Sequence, residues 1–305
     1  MSKVIIGIHG LANKPKKSVL EKWWKSAIQE GLAKTCGMPD AVFEFDMVCW
    51  ADLLYLHSLH NEQGFEFDDL FNTEPYIEAT EELNDYDAGL VDMVRIGGSS
   101  LLGGLADLAR QRLGTDGLAS AILQRHLKDL DFYYDTNREI LNRAEPKTMQ
   151  LARMVLQADL IEALERHRGK EIMLIAHSMG TIIAYDVLRD LGQREPDYRL
   201  AQLATIGSPL GLPYVRRMIG GERDAVRTPS VVRGAWVNYW DRRDVVAIDG
   251  HLRDDFSANR DGVRVVDDLV ENAYVGLSKE PNYHKSYGYL RAPEVSRNIK
   301  AFLDT

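Results

Sequence analysis

The chain has 305 residues, enough to bury a sizeable core in one large α/β domain or two small ones. Its 45% hydrophobic and 27% charged residues are the proportions of an ordinary soluble globular protein. A net charge of −9 and a pI near 5.4 exclude a dominant nucleic-acid surface, which needs clustered Lys and Arg, and argue against a lasting hold on an anionic membrane.

In chain order, the first element is a continuous β-branched run at 4–8, the pattern of a strand buried on both faces. That run is short and broken by Gly7 and His9, so the opening residues do not read as a secretory signal, and the expected location is the cytoplasm. Residues 18–35 follow as a helix, with Leu20, Trp23, Trp24, Ala27, Ile28 and Leu32 on one broad face. Further strands are predicted at 41–50, 171–176, 203–207, 235–240 and 263–266, and helices at 149–167, 181–191 and 294–303. Strands alternating with helices predict a mostly parallel sheet covered on both faces.

Residues 51–146 break that rhythm. They hold an acidic, aromatic stretch at 65–86, a Gly-rich apolar stretch at 96–113 and a long helical pattern at 118–143. A structureless loop of that length is implausible in a compact domain. The expected domains are a core of 1–50 and 147–305 and a helical cap or lid at 51–146. The apolar side of 100–113 suits a helix packed within that cap; as a lid it would make transient contact with lipid. Tyr133 and Tyr134 suit core packing better than a pocket wall.

The chemistry begins at Ala176-His177-Ser178-Met179-Gly180, where a buried strand gives way directly to a helix. A hydroxyl becomes a useful nucleophile when a sharp turn holds it out of the sheet, beside a base and unpaired backbone donors. Such a turn crowds the backbone, so the residues two before and two after the serine must be small; Ala176 and Gly180 are. The helix starting at Met179 aims free N–H groups and its positive dipole end at the same point. His177 is adjacent along the chain to Ser178 and is not read as its base.

This strand-turn-helix, preceded upstream by a strand ending in His9-Gly10, resembles the α/β-hydrolase superfamily, particularly its bacterial lipase- and esterase-like members. The resemblance covers 4–51 and 148–305, not the cap; Ala176 stands where the family usually has Gly. It implies an α/β-hydrolase fold with a roughly six-stranded, mostly parallel sheet that lacks the first strands of the full fold, and an inserted helical cap. It also implies an oxyanion hole made by the backbone N–H groups of Met179 and Leu11. Gly10 suits the second assignment, because it lets backbone approach a ligand closely.

The family order is Ser, acid, His. Of eight histidines, only His251 and His284 lie beyond Ser178. His284, in a loop before the final helix and followed by Ser-Tyr-Gly-Tyr, is the better base; His251 follows the preceding strand closely. For the acid, the resemblance points to Asp244, a few residues past the strand at 235–240. Asp241 is the rival, unless it is a turn residue or is paired with a neighbouring arginine. His9, Gly10, His177 and His251 remain substrate-side candidates.

Scattered histidines without His-x-x-x-His or Cys-x-x-Cys spacing give no metal site, and no cofactor is expected. Cys36 and Cys49 read as reduced thiols. No stretch approaches the roughly 20 apolar residues of a spanning helix, so no stable membrane anchor is expected. The expected activity is that of a serine esterase or lipase-like enzyme acting on small-molecule or lipid esters through an acyl-enzyme. Acyl transfer, amide cleavage and a non-catalytic binding protein are the alternatives.

Overall fold

The computed structural model describes residues 2–10, 14–54, 75–80, 82–83, 130–141, 148–220, 226–277, 279 and 281–305. Its strands are β1 (Lys3–Ile8), β2 (Phe45–Val48), β3 (Glu139–Leu141), β4 (Met149–Leu151), β5 (Glu171–His177), β6 (Leu200–Ile206), β7 (Val232–Trp240) and β8 (Val266–Leu269). Its helices are α1 (Lys17–Cys36), α2 (Ala51–Leu54), α3 (Ala152–Arg166), α4 (Met179–Arg194), α5 (Pro213–Gly220), α6 (Leu252–Asp255), α7 (Ser286–Arg291) and α8 (Pro293–Asp304).

Six strands form one sheet in the order β2-β1-β5-β6-β7-β8, and each neighbouring pair is parallel. The apolar runs explain its two covered faces. Successive side chains of a strand point to opposite sides. Val4, Ile6, Ile8, Ile172, Leu174 and Ala176 therefore join one core with α3 and α4. Ile5, Met173 and Ile175 join the other, with α1, α7 and α8. Starting from β1, the order runs one way to β2 and the other way to β5 and beyond. The carboxyl ends of β1 and β5 thus flank the crevice where such sheets bind ligands.

Three elements depart from the sequence-based expectation. The strand expected at 263–266 lies at Val266–Leu269. Its polar centre is stabilised by partners: Asp267 accepts from Asn238 Nδ2 (3.0 Å) and from the backbone N–H groups of Leu252 (3.1 Å) and Arg253 (2.9 Å). The helix expected from 149 begins at Ala152, because 149–151 pair with β3 as an antiparallel hairpin. The helical pattern expected over 118–143 is helical only at 130–134 among its described residues. There Asp135 Oδ1 accepts the Asn137 N–H at 2.9 Å, an Asx turn that ends the helix and starts β3. Most of the expected cap at 51–146, including 100–113, lies outside the described residues.

Two described parts of that stretch are tied to the core through buried carboxylates. Glu30 of α1 accepts from Tyr76 Oη and the Ala79 N–H and is paired with Lys34 and Arg291. On the opposite face Asp186 of α4, fully buried, accepts Tyr133 Oη (3.1 Å) and Tyr134 Oη (3.0 Å) and pairs with Arg153 (2.9 Å). Both tyrosines thus combine ring packing with a polar tether. Burial pushes the Asp186 carboxyl above the usual carboxylate range, while Arg153 and Arg189 pull it back. Removing this acceptor leaves the buried Tyr133 hydroxyl, the partly buried Tyr134 hydroxyl and the Arg153 cation without it. Asp186→Ala is expected to lower the unfolding free energy by about 3 kcal/mol, measured by urea denaturation; a loss near zero would show that the tether contributes nothing.

Candidate active site

Ser178 is held where β5 turns into α4, at φ 56° and ψ −127°. A non-glycine residue at positive φ is strained and persists only where its surroundings impose it. Here the Ser178 N–H donates to Ile206 O (3.2 Å), and Ser178 O accepts from both the Thr181 N–H (2.9 Å) and Thr181 Oγ1 (2.7 Å). The end of β1 presses on the turn as well. A Cβ on Gly180 would lie 2.6 Å from His9 O, and one on Gly10 would lie 2.5 Å from Ser178 Cβ. The requirement for small residues is therefore a requirement for the β1 backbone to lie against the turn.

Ser178 occupies the N-cap position of α4, yet its side chain makes no cap hydrogen bond. Its Oγ lies instead 2.9 Å from His284 Nε2. His284 Nδ1 lies 2.9 Å from each carboxylate oxygen of Asp244. An ionised carboxylate only accepts, so Nδ1 carries the proton and Nε2 presents its lone pair to the serine hydroxyl. Asp244 is buried, and its Oδ1 also accepts from the backbone of Val246 (2.9 Å) and Ala247 (3.4 Å). Its Oδ2 accepts from Tyr289 Oη at 2.7 Å.

Asp241 is engaged elsewhere. It receives three donors from Arg243, through backbone N–H (2.8 Å), Nε (3.0 Å) and Nη2 (2.7 Å), and one from the Asn272 N–H (2.6 Å). It is a turn residue paired with an arginine, while Asp244 faces His284.

Of the other expected residues, His9, Gly10 and His177 lie beside this chain. His9 is buried, its ring stacked on Trp50 with centroids 4.8 Å apart. Its Nδ1 donates to Gly10 O (2.6 Å), and its Nε2 accepts from the Trp50 N–H (3.1 Å). Burial first, with Lys14 nearby, pulls the His9 pKa from 6.5 to about 3, so the ring is neutral in the native state. His177 Nε2 donates to His284 O at 2.8 Å, and the two rings lie 4.8 Å apart. His251 is exposed and packs edge-on against Trp240. Met179 is the first residue of α4, so its N–H has no acceptor within the helix. Leu11 lies outside the described residues. An open groove of about 820 Å³ beside α1, lined by Lys22, Lys25, Phe43 and Tyr76 among others, shares no residue with the Ser178 cluster.

Sequence reasoning missed two supports of His284. Asn272 Nδ2 donates to Tyr283 O (2.8 Å) and Lys285 O (2.9 Å), bracing the backbone on either side of the ring. A lone asparagine in a loop carries no signal of that role. Tyr289 stands in the Ser-Tyr-Gly-Tyr run that follows His284, so a signal existed there, though not one that named its partner.

The fold is α/β-hydrolase-like. The family described as "Alpha/beta hydrolase of unknown function (DUF900)" matches residues 135–207, which include β5, the Ser178 turn and α4. No curated protein matches. A crystal structure of EstE5, soaked with p-nitrophenyl butyrate, aligns at 13% identity and a TM-score of 0.30, over 50% of this chain. The alignment covers 61% of EstE5, under two thirds of its length. Among the described residues, no helix is long and apolar enough to cross a membrane.

The neutral, buried His9 has a consequence for stability. Below pH 6.5 the unfolded ring takes up a proton that the folded ring refuses until about pH 3, so stability is lost as pH falls through that window. Unfolding free energies measured by urea between pH 6.5 and 4 should fall more steeply in the wild type than in His9→Gln. The slopes should differ by up to ~1.4 kcal/mol per pH unit; equal slopes would contradict a buried neutral His9.

Proposed function

We propose that this chain is a serine hydrolase that cleaves carboxylic esters, lipid esters among them, through an acyl-enzyme. The observation that carries the reading is the continuous hydrogen-bonded chain from Ser178 Oγ through His284 to Asp244, built on a serine at positive φ. Ser178 Oγ attacks the ester carbonyl carbon while His284 Nε2 takes its proton. Asp244 holds Nδ1–H in place and stabilises the imidazolium without taking that proton.

Charge that develops on the carbonyl oxygen is met by the Met179 N–H at the start of α4, with Leu11 as the second donor. The carbonyl then re-forms, the C–O bond to the alcohol breaks, and His284 returns the proton to the departing alkoxide. Water repeats the sequence on the acyl-enzyme, with His284 again as base, and releases the acid. No step draws on a metal or a cofactor. His177 braces the His284 main chain, and His9 and Gly10 shape the floor beside Ser178; His251 is left as a residue of the substrate side.

The test is hydrolysis of p-nitrophenyl esters of rising acyl length, followed at 400 nm by the pre-steady-state release of nitrophenolate. Wild type is expected to show a burst and turnover, with kcat/KM peaking at one chain length. A peak at short chains marks an esterase and one at long chains a lipase-like site. Ser178→Ala should lose activity by a factor of roughly 10³ or more. Equal rates for wild type and Ser178→Ala would overturn the reading.

A further inference from the structure

We infer that Tyr289 is a positioning residue for His284, setting through its hydroxyl how Asp244 is oriented and how strongly that carboxylate holds the imidazole. The kinetic consequence of this inference rests on the serine-hydrolase reading; the structural consequence does not.

Tyr289 lies in α7, which begins two residues past His284, and its side chain is fully buried. Its hydroxyl accepts the Asp241 N–H at 3.1 Å and lies 2.7 Å from Asp244 Oδ2. A hydroxyl has a single proton. With a lone pair engaged by Asp241, that proton is directed at Asp244. Oδ2 also lies 2.9 Å from His284 Nδ1, so the phenol and the imidazole share one carboxylate oxygen. The other oxygen is held by Val246 and Ala247. Tyr289 thereby completes a set of donors that leaves the carboxylate plane no freedom to turn. Asp241, the rival acid by sequence, contributes here by fixing the hydroxyl that points at Asp244.

Two effects follow from one hydrogen bond. Orientation favours catalysis, because Nδ1–H meets a fixed acceptor. Competition opposes it, because a second donor on Oδ2 draws charge away from the bond to Nδ1–H. Burial, and then the Asp244 and Asp241 carboxylates alongside, hold the phenol well above the usual phenol range, so it remains a donor wherever the protein is folded. A tyrosine that only filled the core would do neither, and a phenylalanine would replace it without consequence.

Tyr289→Phe keeps the ring and removes the donor. The direct readout is the low-field proton resonance of His284 Nδ1–H, assigned by its absence in His284→Gln. It is expected to move downfield in Tyr289→Phe, where the carboxylate is relieved of a competing donor. Replacing Tyr289 by 3-fluorotyrosine, which keeps the shape and strengthens the donor, should move it upfield. With p-nitrophenyl acetate, kcat should fall roughly tenfold in Tyr289→Phe, and the acid limb of the kcat/KM profile should move to higher pH.

A Tyr289→Phe protein whose resonance and acid limb coincide with wild type would overturn the inference. If that variant does not fold, the 3-fluorotyrosine protein decides alone: an upfield shift upholds the inference and an unmoved resonance overturns it. If wild type and Ser178→Ala hydrolyse the ester equally, the hydrolase reading falls, and the resonance still decides the role of Tyr289.

Discussion

Ser178 is held at positive φ between a strand and a helix, and the arrangement of the site follows from that one constraint. Such a conformation costs of order 1–3 kcal/mol, and it is imposed from three sides. Ile206 of β6 takes the Ser178 N–H, Thr181 takes its carbonyl, and the backbone of His9 leaves no room for a side chain at position 180. The strain lifts Oγ out of the sheet and brings it to the His284 ring, 106 residues later in the chain. It also starts α4 at the same point, so the Met179 N–H, which has no acceptor within the helix, follows directly after Ser178.

The sheet order explains why residues so far apart in sequence meet there. β1 and β5 are neighbours on either side of the point where the strand order reverses. Their carboxyl ends bring His9-Gly10 and Ser178 together, and the loops after β7 and β8 supply Asp244 and His284. Those loops have little regular structure of their own, so side chains hold them. Asn272 braces the main chain around His284, and Arg243 and Asn272 bind Asp241. Tyr289 ties Asp241 to Asp244. The site is a hydrogen-bonded network supported by a rigid parallel sheet, with few of its polar groups left to solvent.

Much of this could be read from sequence where the signal was local. Runs such as Val4-Ile5-Ile6 and Ile172-Met173-Leu174-Ile175 read as strands buried on both faces, and the Ala176-to-Gly180 turn is marked by small residues placed directly between a strand and a helix. His284 and Asp244 required the order of residues in a resembling family, and the choice between Asp244 and Asp241 stayed open without it. In the structure Arg243 engages Asp241, while Asp244 lies against His284 Nδ1.

What sequence could not supply were contacts between distant polar groups. β8, an edge strand, carries two aspartates, an unusual pattern for a strand until Asn238 and the start of α6 are seen to satisfy Asp267. The β3–β4 hairpin was hidden inside two stretches that read as helix, 118–143 and 149–167; in the first, the Asx turn at Asp135 ends the helix before β3. Asn272 and the tether of Tyr133 and Tyr134 to Asp186 belong to the same class: a single polar residue says nothing of its partner until the fold brings the two together.

On the proposed function, Ser178 is an activated nucleophile. The most direct test is a fluorophosphonate probe, which forms a covalent bond to a serine only where a base and oxyanion donors assist. The site of attachment would be mapped by peptide mass spectrometry. One adduct is expected, on Ser178, absent from His284→Gln and from protein denatured beforehand. A wild-type protein that stays unlabelled, or carries the adduct on a different serine, would contradict it.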